Sequence, residues 1–223
     1  MKNKFFFFSF IFSLTLCAQK IPSSFVYISD VDATVQSELR YLNTNNFIGK
    51  KIEGYDDNCL IATKETADAL HKVQTILAKK GLSLKIFDAY RPQKAVNHFV
   101  KWAKVLNDTL MKHEYYPQVP KSELFKRGFI AEKSGHTRGS TVDLTIVAIK
   151  TGKELDMGSA YDFFGVESHP FYKNINERQK RNRLYLRKIM LDNNFNPYDN
   201  EWWHFTLKNE PFPETYFNFP IKK

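Results

Sequence analysis

The stretch SGHTRGSTVDLTIVAI, Ser134 to Ile149, leaves the chain few options. Its second half runs into an alternating apolar pattern, which a strand satisfies and an amphipathic helix does not. Its first half brings His136, Arg138 and Asp143 to the mouth of that strand within eight residues, with Gly135 and Gly139 for slack. Two readings compete there. The segment is either a polar turn that caps a strand, or half of a metal site whose other half lies elsewhere.

The remaining elements set the company this strand keeps. ATKETADALHKVQTILAKKG (Ala62 to Gly81) places Ala67, Leu70, Val73 and Leu77 on one stripe, with Gly81 placed to stop a helix. LSLKIFDAY alternates Leu82, Leu84 and Ile86 as a strand, and RPQKAVNHFVKWAKVL follows as a helix with Pro92 in its first turn. After the strand Thr141 to Ile149, KTGKE reads as a hairpin-like turn. A helix is expected over roughly Glu177 to Asn193, and EWWHFTL (Glu201 to Leu207) as an aromatic strand. Strands in hairpin order with helices early and late predict an α+β fold: one compact domain, a small antiparallel sheet flanked by helices. A length of 223 residues, 43% of them hydrophobic, suits a single core.

The N-terminus, MKNKFFFFSFIFSLTLCAQK, has a different character. Lys2 and Lys4 precede an apolar run from Phe5 to about Leu16 and then small residues, the layout of a signal peptide. The run is too short for a comfortable membrane span. Cleavage after Ala18 would divide the chain into a leader, 1–18, and a domain, 19–223; the alternative is a loose lipobox, LTLC, with Cys17 lipidated as an anchor. Either way the expectation is export, to a periplasmic location. Two of the 33 basic residues leave with the leader, so 31 face 24 acids, a net +7. These charges are interspersed, and ERQKRNRLYLRK (Glu177 to Lys188) reads as the solvated face of a helix, so nucleic acid is not expected as a partner. With Cys17 gone, Cys59 stands alone. That excludes an internal disulfide and a thiolate-rich zinc site, leaving histidines and carboxylates as ligands.

Of six histidines, His71 and His98 fall within predicted helices, His113 in a predicted loop and His169 before Pro170. His136 and His204 differ because each adjoins a strand and has acids nearby. With Asp143 they would supply the three protein ligands that a catalytic zinc site needs. Glu201 is the candidate general base. In a regular strand, however, residues three apart face opposite ways, so Glu201 and His204 share a site only if Glu201 precedes the strand proper or a bulge re-aims it. The plainer alternative is a core strand of Trp202, Trp203 and Phe205 with Glu201 exposed. Arg91, fixed at a helix start with Asp88 three residues before it, could offer two donors to an oxyanion, or could be half of a surface ion pair.

Taken together, FDAYRP, SGHTRGSTVDLT, DMGSAYDFF and EWWHF resemble the zinc D-alanyl-D-alanine dipeptidases, the VanX-type enzymes. The likeness extends through YLNTNNFIGKKIEGY, QKRNRLYLRKIM and NEPFPETYFNFP, in the same order and over nearly the whole mature chain. It implies the fold shared with D,D-carboxypeptidases and the Hedgehog signalling domain, and one Zn²⁺ per chain on His136, Asp143 and His204. It also implies Glu201 as general base and Arg91 as stabiliser of the oxyanion. Ser134, Tyr41 and Asp162 match positions that close the pocket around a small D,D-dipeptide, Asp162 taking its free ammonium. The best-known enzymes of this kind lack a leader, so an exported one is expected to recover D-alanine from wall turnover rather than to deplete a precursor. Two alternatives stand beside this one: a D,D-carboxypeptidase acting on peptidoglycan stem peptides, and a non-catalytic zinc-binding wall or signalling module. Oligomeric state is not legible.

Overall fold

Residues 21–223 are described by the computed structural model; the expected leader and Cys17 lie outside the described residues. The chain order is β1 (Phe25–Tyr27), α1 (Ile28–Val31), β2 (Gln36–Ser37), β3 (Ile61–Thr63), α2 (Lys64–Ala78), β4 (Leu82–Asp88), α3 (Gln93–Lys104), α4 (Lys112–Tyr115), β5 (Thr141–Ala148), α5 (Glu177–Asp192), β6 (Phe195–Tyr198) and β7 (Glu201–Leu207). One sheet runs β2-β4-β5-β7-β6, and β1 pairs with β3 in a second. Every pairing is antiparallel except β2 with β4. The expected α+β class holds, with that one parallel edge added.

The apolar periodicities explain the layers. In α2 the stripe Ala67, Leu70, Val73 and Leu77 is buried, and the helix packs on β4, whose Leu84 and Ile86 are fully covered. The helix starts two residues later than expected, because Ile61–Thr63 is taken by pairing with β1. In α3, Pro92 is the N-cap and Ala95, Val96, Phe99, Trp102 and Ala103 turn inward. Its fixed φ and missing N–H make proline harmless there. His113 sits in α4 rather than in a loop, and it is exposed.

Helix α5 corrects a second expectation. Asn176 and Gln179 form a capping box at its start, and most of its charges are solvated as anticipated. Arg183 is not: it is 2% exposed. Its Nε donates to Met157 O (2.5 Å), Nη1 to His169 O (2.6 Å) and Nη2 to Glu167 O (2.8 Å). A buried guanidinium is tolerated where carbonyls satisfy its donors. The carbonyls belong to the 157–169 segment, so the helix clasps the loop that carries Asp162.

One irregularity shapes the sheet's centre. Between β4 and β5 the register shifts around Phe87, and Asp88 comes to face Asp143. Asp143 in turn faces His204 of β7. Three polar side chains thus form a row across the three inner strands.

Candidate active site

His136 is delivered by a single 3₁₀ turn, Gly135–Arg138. Ser134 caps the turn by accepting from His136 N (3.3 Å), and Gly139 ends it at φ +83°, a left-handed conformation that glycine takes without strain. A Cβ at Gly139 would lie 2.2 Å from the Phe25 ring, so close packing demands glycine as well. The turn is held from both sides, Arg91 N donating to His136 O and Thr63 N to Gly139 O.

The ring of His136 is oriented by its second nitrogen. Nδ1 lies 2.8 Å from Ala89 O, and a carbonyl only accepts, so Nδ1 carries the proton. Nε2 is left with a bare lone pair, buried, with no hydrogen-bond partner. It lies 3.2 Å from Asp143 Oδ2, while Asp143 Oδ1 lies 3.0 Å from His204 Nδ1 and likewise lacks a hydrogen bond. The ligand atoms of His136, Asp143 and His204 fall within 4.8 Å of one another. Such atoms crowd together without hydrogen-bonding because they aim at a common point. Two imidazoles and a carboxylate suit zinc, whose tetrahedral N and O ligands stand about 3.3 Å apart at bond lengths of about 2.0–2.1 Å. The donor set fits the metal.

Glu201 opens β7, and a register shift occurs where Pro197 opposes Phe205 but Tyr198 opposes Glu201. The strand is therefore irregular between Glu201 and Phe205, and Glu201 Oε2 comes to 3.4 Å from His204 Nδ1. Trp202 and Trp203 are buried beside it, but Glu201 is not the exposed end of a core strand; it faces the same cavity as His204.

Arg91 is one-eighth exposed, and its Nε donates to Asp88 Oδ2 (2.8 Å). Asp88 also accepts from Tyr55 Oη (2.7 Å), so the pair is buried rather than a surface bridge. Arg91 lies over the rings of Tyr41 and Phe99 and turns Nη2 to within 3.6 Å of Asp143. At the other side, Asp162 is buried at φ +62°, a strained backbone for a non-glycine residue, of the kind that collects at functional sites. Tyr41 Oη donates to its Oδ2 (2.8 Å). Tyr41, Arg91, Ser134, His136, Asp143, Asp162, Glu201 and His204 all line one cavity of about 190 Å³, below the roughly 300–1,000 Å³ usual for drug-sized ligands. Its other walls include Phe47, Phe99, Phe129 and Phe164. His71, His98 and His169 lie elsewhere; His71 contacts Asp32 (2.8 Å), and His98 accepts from Glu53 N (3.2 Å).

The electrostatics divide the acids by role. Burial alone would raise Asp143, but the adjoining imidazoles of His136 and His204 outweigh it and hold the carboxyl well below the usual range. Burial pushes Glu201 up to about 7, against the pull of His204. Burial, aided by the charge of Asp143, raises Asp162 well above an ordinary carboxyl. One carboxyl is thus held ionised between two imidazoles, one is raised to near neutrality, and one favours its protonated form unless a cation approaches it. Tyr161 was not singled out in the sequence, yet its hydroxyl lies 3.2 Å from Asp143 Oδ2 and 3.2 Å from Tyr41 Oη; an aromatic inside DMGSAYDFF looks like any other core residue.

Comparison with known proteins agrees with this geometry. A family model described as D-ala-D-ala dipeptidase, the peptidase M15 family, matches residues 22–222. The D-alanyl-D-alanine dipeptidase of Enterococcus faecalis is 41% identical over 201 residues, 90% of this chain and 100% of that one. Its counterpart in Enterococcus faecium is 38% identical over 198 residues, 89% and 98% of the two chains. The one in Streptomyces coelicolor is 38% identical over 201 residues, 90% and 100%.

Proposed function

The chain belongs to the D-ala-D-ala dipeptidase family of M15 peptidases, and from that premise we infer a zinc metallopeptidase that hydrolyses free D-Ala-D-Ala to two D-alanines. The observation that carries this reading is one small cavity lined both by a zinc-suited donor set and by a buried carboxyl, Asp162, that would ionise beside a cation.

In this proposal His136, Asp143 and His204 hold the metal, which when bound lowers the pKa of a water and polarises a peptide carbonyl. Glu201, set near neutrality by burial, accepts the proton of the attacking water and passes it to the departing amine. Arg91, fixed through Nε by Asp88, offers its remaining donors to the developing oxyanion. Asp162, held by Tyr41, receives the dipeptide's ammonium, and Ser134 borders the substrate from the His136 turn. A buried carboxylate that requires a cationic partner rejects an acylated amine, which is how a dipeptidase differs from a carboxypeptidase on stem peptides. The test compares purified protein on D-Ala-D-Ala and on N-acetyl-D-Ala-D-Ala. Strong preference for the free amine is expected. Equal or better cleavage of the acetylated peptide would assign the carboxypeptidase reaction instead.

We further propose export, with D-alanine recovered from wall turnover. The support is the composition of residues 1–18, and the mass of the protein from its native host tests it. A chain beginning at Gln19, or one lipidated at Cys17, is expected; one retaining Met1 to Ala18 in the cytosol would contradict export. Among the described residues no helix is long and apolar enough to cross a membrane.

A further inference from the structure

Tyr161 has no part in the chemistry above, although it lies directly beneath it. Its ring stacks on Phe87 (4.4 Å between centroids), meets Trp203 edge-on (5.5 Å) and lies under the Arg40 guanidinium (5.5 Å). A phenylalanine would make every one of these contacts. A hydroxyl at a fully buried position costs free energy unless it is hydrogen-bonded, so its partners indicate its use. They are Asp143 Oδ2 and Tyr41 Oη, each 3.2 Å away.

Protons decide how this arrangement works. Tyr41 commits its single proton to Asp162, so its oxygen is an acceptor toward Tyr161. Tyr161 has one proton for two acceptors. A chain of hydrogen bonds therefore runs from Asp143, the metal-ligand carboxylate, through two phenols to Asp162, the ammonium-binding carboxylate. We propose that the Tyr161 hydroxyl is a positioning group that ties the metal site to the ammonium site, an inference that rests on the dipeptidase reading. The Tyr161 proton, shared between the two acceptors, holds the Asp143 carboxylate in the pose that would take a cation and polarises Tyr41's donation to Asp162. Both sites then lean on one hydroxyl, so its loss weakens metal binding and ammonium binding together. Hydrogen bonds to ligating carboxylates have such weight generally, their loss costing on the order of 10–100-fold in metal affinity or activity.

Tyr161→Phe tests this, since it removes one oxygen and keeps the packing. Zinc affinity is measured by chelator competition without substrate, KM and kcat on D-Ala-D-Ala at saturating zinc, and the melting temperature as a control. The expected result is zinc binding weakened about tenfold or more, KM raised severalfold, kcat changed less than KM, and melting close to wild type. Unchanged zinc affinity would overturn the proposal. So would a loss confined to kcat, or one that only follows a lowered melting temperature, because a merely structural hydroxyl would give that. Failure of the dipeptidase reading shows separately, as wild-type protein that binds zinc and leaves D-Ala-D-Ala intact.

Discussion

Glu201, Asp162 and Asp88 are acids whose carboxyls burial raises on folding, against the pull of nearby cations and donors. For each, the folded chain holds more protons than the unfolded one between the two pKa values, so stability falls as pH rises through that window. His204 adds to the same slope. Burial would lower it, but the adjoining Asp143 carboxylate raises it, and that stabilisation is full below the ordinary histidine value and lost as pH climbs through the raised one. Metal-free protein is therefore expected to weaken from about pH 5 to about pH 8. Zinc needs neutral imidazoles and ionised carboxylates, so its contribution grows over the same interval. The rise in melting temperature on adding zinc should increase with pH; a shift that is flat or shrinks would contradict this assignment of the ligands. At this scale the residues alone offer His136, Asp143 and His204 as a ligand set and leave Glu201 open between a base and an exposed strand end; the family resemblance gives them their roles. The Asp88–Arg91 pair was visible too, but not its burial. The hydroxyl of Tyr161 was not, since its meaning depends on Asp143 and Tyr41 lying 18 and 120 residues away.

At the scale of elements, the site depends on places where regular structure is interrupted. Phe87 shifts the β4 register so that Asp88 faces Asp143, the start of β7 is irregular where Glu201 turns to the cavity, and a one-turn 3₁₀ helix presents His136. Gly139 shows what one such place demands. Gly139→Ala puts a side chain into left-handed backbone, about 1–2 kcal/mol, and forces its Cβ toward Phe25. Lower melting temperature and weaker zinc binding are expected together, because the turn that would move carries a ligand. Wild-type behaviour in both melting and chelator competition would show that the turn has more room than the packing indicates. The long periodic elements, α2, α3, β4, β5, α5 and β7, were readable within one to three residues. β1, β2, β3 and β6 were not: at two to four residues they have no period of their own, and β6 includes Pro197. Such strands exist because a distant partner supplies their hydrogen bonds, and a local reading does not see it.

Across the whole molecule, the C-terminal segment straps the site to its support. Phe212, Phe217 and Phe219 gather around Phe25, and Phe219 stacks on Tyr90 (4.1 Å). Phe217 N donates to Thr137 O and Gln93 N to Phe217 O, linking the strap to the His136 turn and to the start of α3. Phe217 is partly buried, so Phe217→Ala should cost less than the about 3–5 kcal/mol of a core phenylalanine, but still lower the melting temperature measurably. An unchanged melting curve would mean that the strap holds by its backbone alone. We propose that this strapped, irregular corner of an α+β fold is the site of a zinc-dependent hydrolase with Glu201 as its base. Its most direct test is D-alanine release from D-Ala-D-Ala by purified protein stripped with chelator and reloaded with zinc, beside Glu201→Ala prepared in the same way. Activity lost on stripping, restored by zinc and lowered by about 10²–10⁴-fold in a variant that still binds zinc is the predicted result. Turnover that survives chelation, or survives in Glu201→Ala, would contradict it.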